Sequence, residues 1–183
     1  MFQSVTWPLL LALLGVSACS PALNWREVPI QGTSMTALMP CKPDRSQRKI
    51  SLAGNDVDMV MQSCDADGVT FALAHVSLPA AALVPAALAH WQQATWAHIV
   101  AHIGVHSGAH SGALAPAARP LKLPGNQIPP LVWTAQGKRS NGEAVEFNGL
   151  WAAQDAHLVQ VAMYTPVPRA AVRDIFFDGF KLQ

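Results

Sequence analysis

Four histidines spaced four residues apart are the side chains of this sequence best placed to do chemistry together. They are His98, His102, His106 and His110. On a continuous helix, residues four apart lie on one face, so neighbouring imidazoles could share a metal ion. Neutral imidazole nitrogen is a ligand that zinc, copper and nickel accept. The spacing therefore raises the hypothesis of a metal site formed by His98, His102 and His106.

The residues between these histidines argue against one continuous helix. Gly104, Gly108 and Gly112 recur at the same interval, and glycine is a poor helix former. The last two histidines belong to a tandem His-Ser-Gly-Ala repeat, which is typical of an insertion in a surface loop. The alternative is therefore a packed or solvated helix end that binds no metal.

Other groups that could catalyse a reaction show no catalytic pattern. Four aspartates lie at predicted hairpin turns, where carboxylates commonly stabilise the turn. They are Asp56, Asp58, Asp65 and Asp67. The sequence also contains no Gly-x-Ser-x-Gly motif and no phosphate-binding glycine loop. We therefore expect a protein that is not an enzyme and has no cofactor.

The first 20 residues are typical of an export signal. Residues 7–18 are almost all apolar, which is too short to span a membrane but suits the core of a signal peptide. The sequence Val-Ser-Ala-Cys at residues 16–19 resembles the lipobox of bacterial lipoproteins. This resemblance implies that residues 1–18 are the signal peptide and that Cys19 carries acyl chains. The alternative is an ordinary secretory signal with an unmodified cysteine.

The predicted lipidation of Cys19 indicates that the protein is attached to a membrane. Several acyl chains hold a protein on a membrane much more firmly than one chain does. Ser20 follows the cysteine, and the lipoprotein sorting rule that this signal resembles then implies the outer membrane, with the protein facing the periplasm. A basic cluster near the tethered end is either a second contact with anionic lipid or a solvated surface. Its members are Lys42, Arg45, Arg48 and Lys49.

Two cysteines remain in the mature chain, Cys41 and Cys64. In an oxidising compartment such a pair is expected to form a disulfide bond. The bond would close a loop of roughly 24 residues and stabilise the fold by about 3 kcal/mol. A zinc site is disfavoured because neither cysteine belongs to a Cys-x-x-Cys pair.

Length and charge limit the possible classes of protein. The chain has 183 residues, with 12 basic and 11 acidic side chains and a formal net charge of +1. Without a strong positive field we expect no nucleic-acid partner. After a tether at residues 19–24, residues 25–183 are long enough for a single domain.

Hydrophobic periodicity predicts an α+β fold. A long helix is predicted at 79–103, with an apolar stripe that includes Trp91 and Ile99 and should cover one face of a sheet. A short helix is predicted at 168–177, and residues 104–118 are predicted to form a loop. Strands are predicted at 25–30, 34–39, 47–52, 57–64, 69–78, 131–138, 145–153 and 157–164. Successive hairpins favour an antiparallel sheet of about six to eight strands flanked by both helices.

Two segments carry a further resemblance. The sequences Pro-Cys-Lys-Pro-Asp-Arg at 40–45 and Phe-Phe-Asp-Gly-Phe at 176–180, with the order of elements, resemble uncharacterised proteobacterial lipoproteins with a PsbP-like domain. The resemblance implies an α/β/α sandwich. It also implies a noncatalytic binding or assembly factor of the envelope, with an unidentified protein partner. The alternative, from the histidine spacing, is a periplasmic protein that binds zinc, copper or nickel.

Overall fold

The computed structural model describes residues 22–103, 117–138 and 141–182. Two short strands, β1 (Arg26–Pro29) and β2 (Thr36–Met39), form a small antiparallel sheet. Seven further strands form the large sheet: β3 (Asp44–Leu52), β4 (Asn55–Ala66), β5 (Val69–Ser77), β6 (Ala117–Pro120), β7 (Leu131–Lys138), β8 (Ala144–Gln154) and β9 (His157–Thr165). The helices are α1 (Val84–Ile103), preceded by a 3-10 turn at Ala81–Leu83, and α2 (Ala170–Asp178).

The large sheet has the strand order β3-β4-β5-β9-β8-β7-β6. Every neighbouring pair in it is antiparallel. The long crossover that contains α1 connects β5 to β6, so β9 returns to the middle of the sheet and pairs with both β5 and β8. The prediction of an α+β fold with an antiparallel sheet, one long helix and one short C-terminal helix is confirmed.

The large sheet is covered on both faces, because successive side chains of a strand point to opposite sides. One core lies between the sheet and α1, and it includes Val57, Met59, Val76, Phe147, Trp151, Trp91 and Ile99. The other lies between the sheet, α2 and the small sheet, and it includes Phe71, Leu73, Val161, Met163, Met39, Phe176 and Phe177. The molecule therefore has three layers, with α1 and α2 on opposite sides of the sheet.

Two tight turns join the strands at the β3 edge of the sheet. Ala53 and Gly54 have φ angles of 49° and 79°, and Asp67 and Gly68 have φ angles of 52° and 73°. Positive φ at both loop residues matches the right-handed twist of paired strands. Asn55 already pairs with Leu52, so the first turn consists of Ala53 and Gly54 alone.

Strands β3 and β6 form the two edges of the large sheet. Strand β3 begins before the predicted strand at 47–52, and β6 was not predicted as a strand. Asp44 and Arg45 precede the predicted strand at 47–52 but pair with β4. Ala117 and Ala118 were predicted to lie in a loop but pair with β7. These edge residues are exposed, so no alternation of apolar and polar residues marks them in the sequence. Pro120 is tolerated in β6 because an edge strand does not need every N–H group for pairing.

The predicted disulfide bond is confirmed. Cys41 and Cys64 are joined, with their Cα atoms 6.1 Å apart. The bond attaches the segment after β2 to β4, and it therefore connects the small sheet to the large one. Cys19 lies outside the described residues. Within the described ranges, no helix is both long and apolar enough to span a membrane.

Candidate functional site

A groove of about 430 Å³ separates α1 from the β3–β4 side of the large sheet. Its floor is apolar and consists of Ile50, Met59, Met61 and Ala74. Its wall is the helix face that carries Trp91, Ala94 and Thr95. Arg48, His90 and His98 stand at the rim, and Gln160 and Tyr164 lie on the side of the central strand β9.

The groove exists because small side chains leave space between helix and sheet. Ala74 on β5 and Ala94 on α1 both line the groove, whereas Phe147 and Trp151 fill the same layer over β8. Ile50 and Met61 consequently stay only half-buried, although both pack against the core under α1. Apolar floor side chains that keep contact with water can gain free energy when a ligand covers them.

Polar contacts hold the inner side of the groove in place. The Gln160 side-chain amide donates a hydrogen bond to Thr95 Oγ1 at 3.1 Å, which links β9 to α1. Burial raises the pKa of the Tyr164 hydroxyl, so this group remains protonated at neutral pH and can donate a hydrogen bond. The Tyr164 ring also packs against Phe147, with ring centroids 5.3 Å apart. The inner side therefore presents neutral hydrogen-bonding groups.

The rim of the groove carries groups that are basic in type. The Arg48 guanidinium is exposed, and its Nη2 lies 4.0 Å from Sδ of Met59. His90 Nδ1 accepts a hydrogen bond from the backbone N–H of Ala53 at 3.2 Å. This bond attaches α1 to the β3–β4 turn and places the neutral-ring proton of His90 on Nε2. His98 is exposed at the same rim.

A second cleft, of about 490 Å³, lies at the far end of β4 and β5 and shares Tyr164 with the groove. Asp65, Thr70 and Glu143 line it. The Thr70 hydroxyl donates a hydrogen bond to Asp65 Oδ1 at 2.5 Å. The two cavities therefore differ in charge, with carboxylates in the cleft and basic groups around the groove.

Two histidines meet on the opposite face of the sheet. His75 Nε2 on β5 lies 3.1 Å from His157 Nδ1 on β9. His75 is only 8% exposed. Burial, with a smaller contribution from the positive charge of His157, lowers the pKa of His75 from 6.5 to about 4. Sequence reasoning missed this pair. The apolar run around His75 could have indicated a buried histidine but not its partner.

A buried polar network stabilises β7 and β8 on the α2 side of the sheet. Glu146 is 5% exposed and accepts hydrogen bonds from the side-chain amides of Gln136 at 2.8 Å and Asn148 at 2.9 Å. Thr134 donates to Asn148 Oδ1 at 2.8 Å. Because these buried polar side chains form hydrogen bonds with one another, we interpret the network as part of the structure of the sheet and not as a binding site.

The structure describes only part of the predicted histidine site. His98 is exposed on α1, the backbone of His102 continues the same helix, and His106 and His110 lie outside the described residues. Among the side chains that the structure does describe, no three His, Cys, Asp or Glu residues are grouped to hold a metal ion. Metal binding by His98, His102 and His106 therefore stays a prediction.

The predicted basic cluster is divided by the alternation of β3. Arg48 points to the α1 side and joins the groove rim, whereas Arg45 and Lys49 occupy positions of opposite parity and face the other side. Lys49 forms an ion pair with Asp58 on the neighbouring strand at 3.3 Å. Arg48 is therefore the member of the cluster that belongs to the candidate site.

Comparison with protein-family models and with curated protein sequences gives no match. The groove geometry and the sequence of residues 1–20 are consequently the basis for inferring a function.

Proposed function

We propose that this protein is a noncatalytic binding protein of the bacterial envelope, and that the groove beneath α1 holds its ligand. The observation that carries the proposal is the half-buried apolar floor at Ile50 and Met61, left open by small residues on α1 and β5. The volume of about 430 Å³ falls within the usual range of small-molecule sites. A mainly apolar floor favours an elongated apolar ligand over a sugar or a nucleotide.

The contacts of the side chains around the groove support a binding role over a catalytic one. Gln160 and Thr95 bond to each other, His90 bonds to the backbone, and Tyr164 remains neutral. Methionine side chains adapt their shape and make favourable contacts with varied apolar surfaces. Met59 and Met61 on the floor therefore suit a flexible hydrocarbon ligand.

The proposed location follows from the leader sequence. Acyl chains on Cys19 would attach the protein to the membrane, with Ser20 directing it to the outer membrane and the domain facing the periplasm. The resemblance to PsbP-like lipoproteins supports a binding or assembly role. An envelope protein that receives or delivers the ligand is then the proposed partner.

Filling the groove tests this function. Ala94→Trp places an indole in the groove, whereas Ala89→Trp places the same indole at an exposed position turned well away from the groove along α1. The full-length protein is purified from envelopes, and co-purifying small molecules are identified by mass spectrometry. We expect one class of apolar molecule with the wild type and Ala89→Trp, and its loss with Ala94→Trp. Equal recovery from all three proteins would contradict the proposal.

Metal binding is the second candidate function. The observation that favours it is the exposed position of His98, one helical turn before His102. Isothermal titration of the wild type with zinc, copper or nickel is expected to show micromolar affinity, and the His98→Ala/His102→Ala variant is expected to lose it. Titrations of the wild type that show no heat of binding with any of the three metals would contradict the metal-binding hypothesis.

A further inference from the structure

We propose that the ligand of the groove is an anionic amphiphile, with one unbranched hydrocarbon chain and a carboxylate or phosphate head bound by Arg48. This inference rests on the proposed function, because it names the ligand class of the same groove. It is carried by two independent features, the distribution of charge around the groove and the contacts of Arg48.

The ionisable groups that line the groove rim are basic in type and not acidic. The described lining residues of the groove include Arg48, His90 and His98 but no aspartate or glutamate. The carboxylates that line the adjoining cleft, Asp65 and Glu143, lie beyond Tyr164, the residue that the two cavities share. A negatively charged head is therefore attracted to the groove rim and repelled from the neighbouring cleft, which gives the ligand a preferred orientation.

Arg48 is available to bind an anion. In the described ranges its guanidinium takes part in no ion pair and instead lies against the sulfur of Met59. The strand neighbour Lys49 has Asp58 as its partner across β4. A planar guanidinium with five N–H donors matches the two oxygens of a carboxylate or phosphate. Arg48 thus combines an unused charge with a position directly above the apolar floor.

The remainder of the groove suits the chain of such a ligand. From Arg48, the floor continues over Met59 and Met61 towards Ala74, beneath the helix face at Ala94. The head would remain near the open edge at β3, where water also reaches it, and the hydrocarbon would lie under α1. The charged head would therefore lie next to Arg48 at one side of the cavity, and the hydrocarbon tail would lie on the apolar floor at the other side.

The test uses photoreactive probes on the full-length protein in its native envelopes. Three probes share one diazirine-bearing alkyl chain and differ only in the head: a carboxylate, a monoalkyl phosphate, or a neutral alcohol. After irradiation, labelled peptides of the protein are quantified by mass spectrometry. The peptide that contains Met59 and Met61 reports on the groove.

The variants distinguish binding of the head group by Arg48 from binding of the hydrocarbon chain in the cavity. Arg48→Ala removes the proposed anchor, Arg48→Lys keeps its charge, and Arg45→Ala removes an equivalent exposed charge on the opposite face of β3. We expect about tenfold less groove labelling by an anionic probe for Arg48→Ala, partial recovery for Arg48→Lys and no change for Arg45→Ala. The relative labelling by the carboxylate and phosphate probes shows which head the site prefers.

The outcomes distinguish this inference from the function on which it rests. If the alcohol labels the groove as strongly as the anions do, and Ala94→Trp blocks all three probes, the groove binds hydrocarbon and the proposed anionic head is wrong. Equal labelling by an anionic probe in wild type and Arg48→Ala would also overturn it. If no probe labels the groove peptide more in wild type than in Ala94→Trp, the proposed function fails as well.

Discussion

His75 on β5 and His157 on β9 bring their ring nitrogens to 3.1 Å although 82 residues separate them in the chain. One ring must donate and the other accept, so at least one nitrogen of the pair is unprotonated while the contact lasts. Burial makes the His75 ring difficult to protonate, because it lowers the pKa of His75 to about 4. The pair therefore links the stability of the sheet to pH.

Acid should destabilise the protein through His75. The folded-state pKa of about 4 lies below the ordinary value of 6.5, so between these values the unfolded chain binds a proton that the folded protein does not. The stabilisation is fully present above pH 6.5 and is lost as pH falls towards 4, with a total of about 3 kcal/mol. Urea unfolding at pH 7 and pH 4.5 measures this loss.

His75→Gln is the control for the acid prediction, because it removes the titrating ring and leaves the carboxylates unchanged. Its free energy of unfolding should fall less steeply between pH 7 and pH 4.5 than that of the wild type. Parallel pH profiles of the two proteins would show that His75 does not contribute.

Loss of the Cys41–Cys64 bond should destabilise the protein by about 2–4 kcal/mol, because the bond restricts the unfolded chain. The double variant Cys41→Ser/Cys64→Ser avoids an unpaired thiol, and its melting temperature is compared with that of the wild type. Reductant should lower the melting temperature of the wild type and leave that of the double variant unchanged. A wild type insensitive to reductant would contradict the prediction.

Gly179→Ala should loosen the packing of α2 on the small sheet. A Cβ atom at this position would lie 2.5 Å from Cβ of Leu38 and 3.0 Å from the carbonyl oxygen of Ile175. Neither atom can move without its backbone, so we expect a loss of about 1–3 kcal/mol in the free energy of unfolding. Ala171→Ser, at an exposed position of the same helix, should change it by less than about 0.5 kcal/mol.

Cys19→Ser should release the protein from membranes if the cysteine carries acyl chains. Membrane and soluble fractions are compared by immunoblot, and the intact mass of the wild type shows whether residues 1–18 are removed and lipid added. Retention of the variant in the membrane fraction would mean that the protein is attached in another way.

Several features of the fold could be predicted because their signals are local. Alternating side chains such as Val57 and Met59 mark a strand wherever it lies in the sheet, and the stripe through Trp91 and Ile99 marks a helix that covers a face. The pairing of Cys41 with Cys64 could be predicted from the small number of cysteines and from the export that residues 1–20 predict. Strand β6 was not predicted because its Ala-Ala-Arg-Pro sequence is wholly exposed. Its contacts are tertiary ones, the pairing with β7 and the ion pair between Arg119 and Asp174 of α2.

The candidate site was decided by tertiary structure. Periodicity shows that Arg48 and Lys49 point to opposite sides, but not that only Arg48 meets a groove. The groove itself depends on Ala74 and Ala94 facing one cavity, and no local pattern records the volume left between a helix and a sheet. The sequence by itself determined most of the helices and strands and the disulfide bond between Cys41 and Cys64. The partner of His75 and the groove next to Arg48 were decided only when distant strands and α1 packed together.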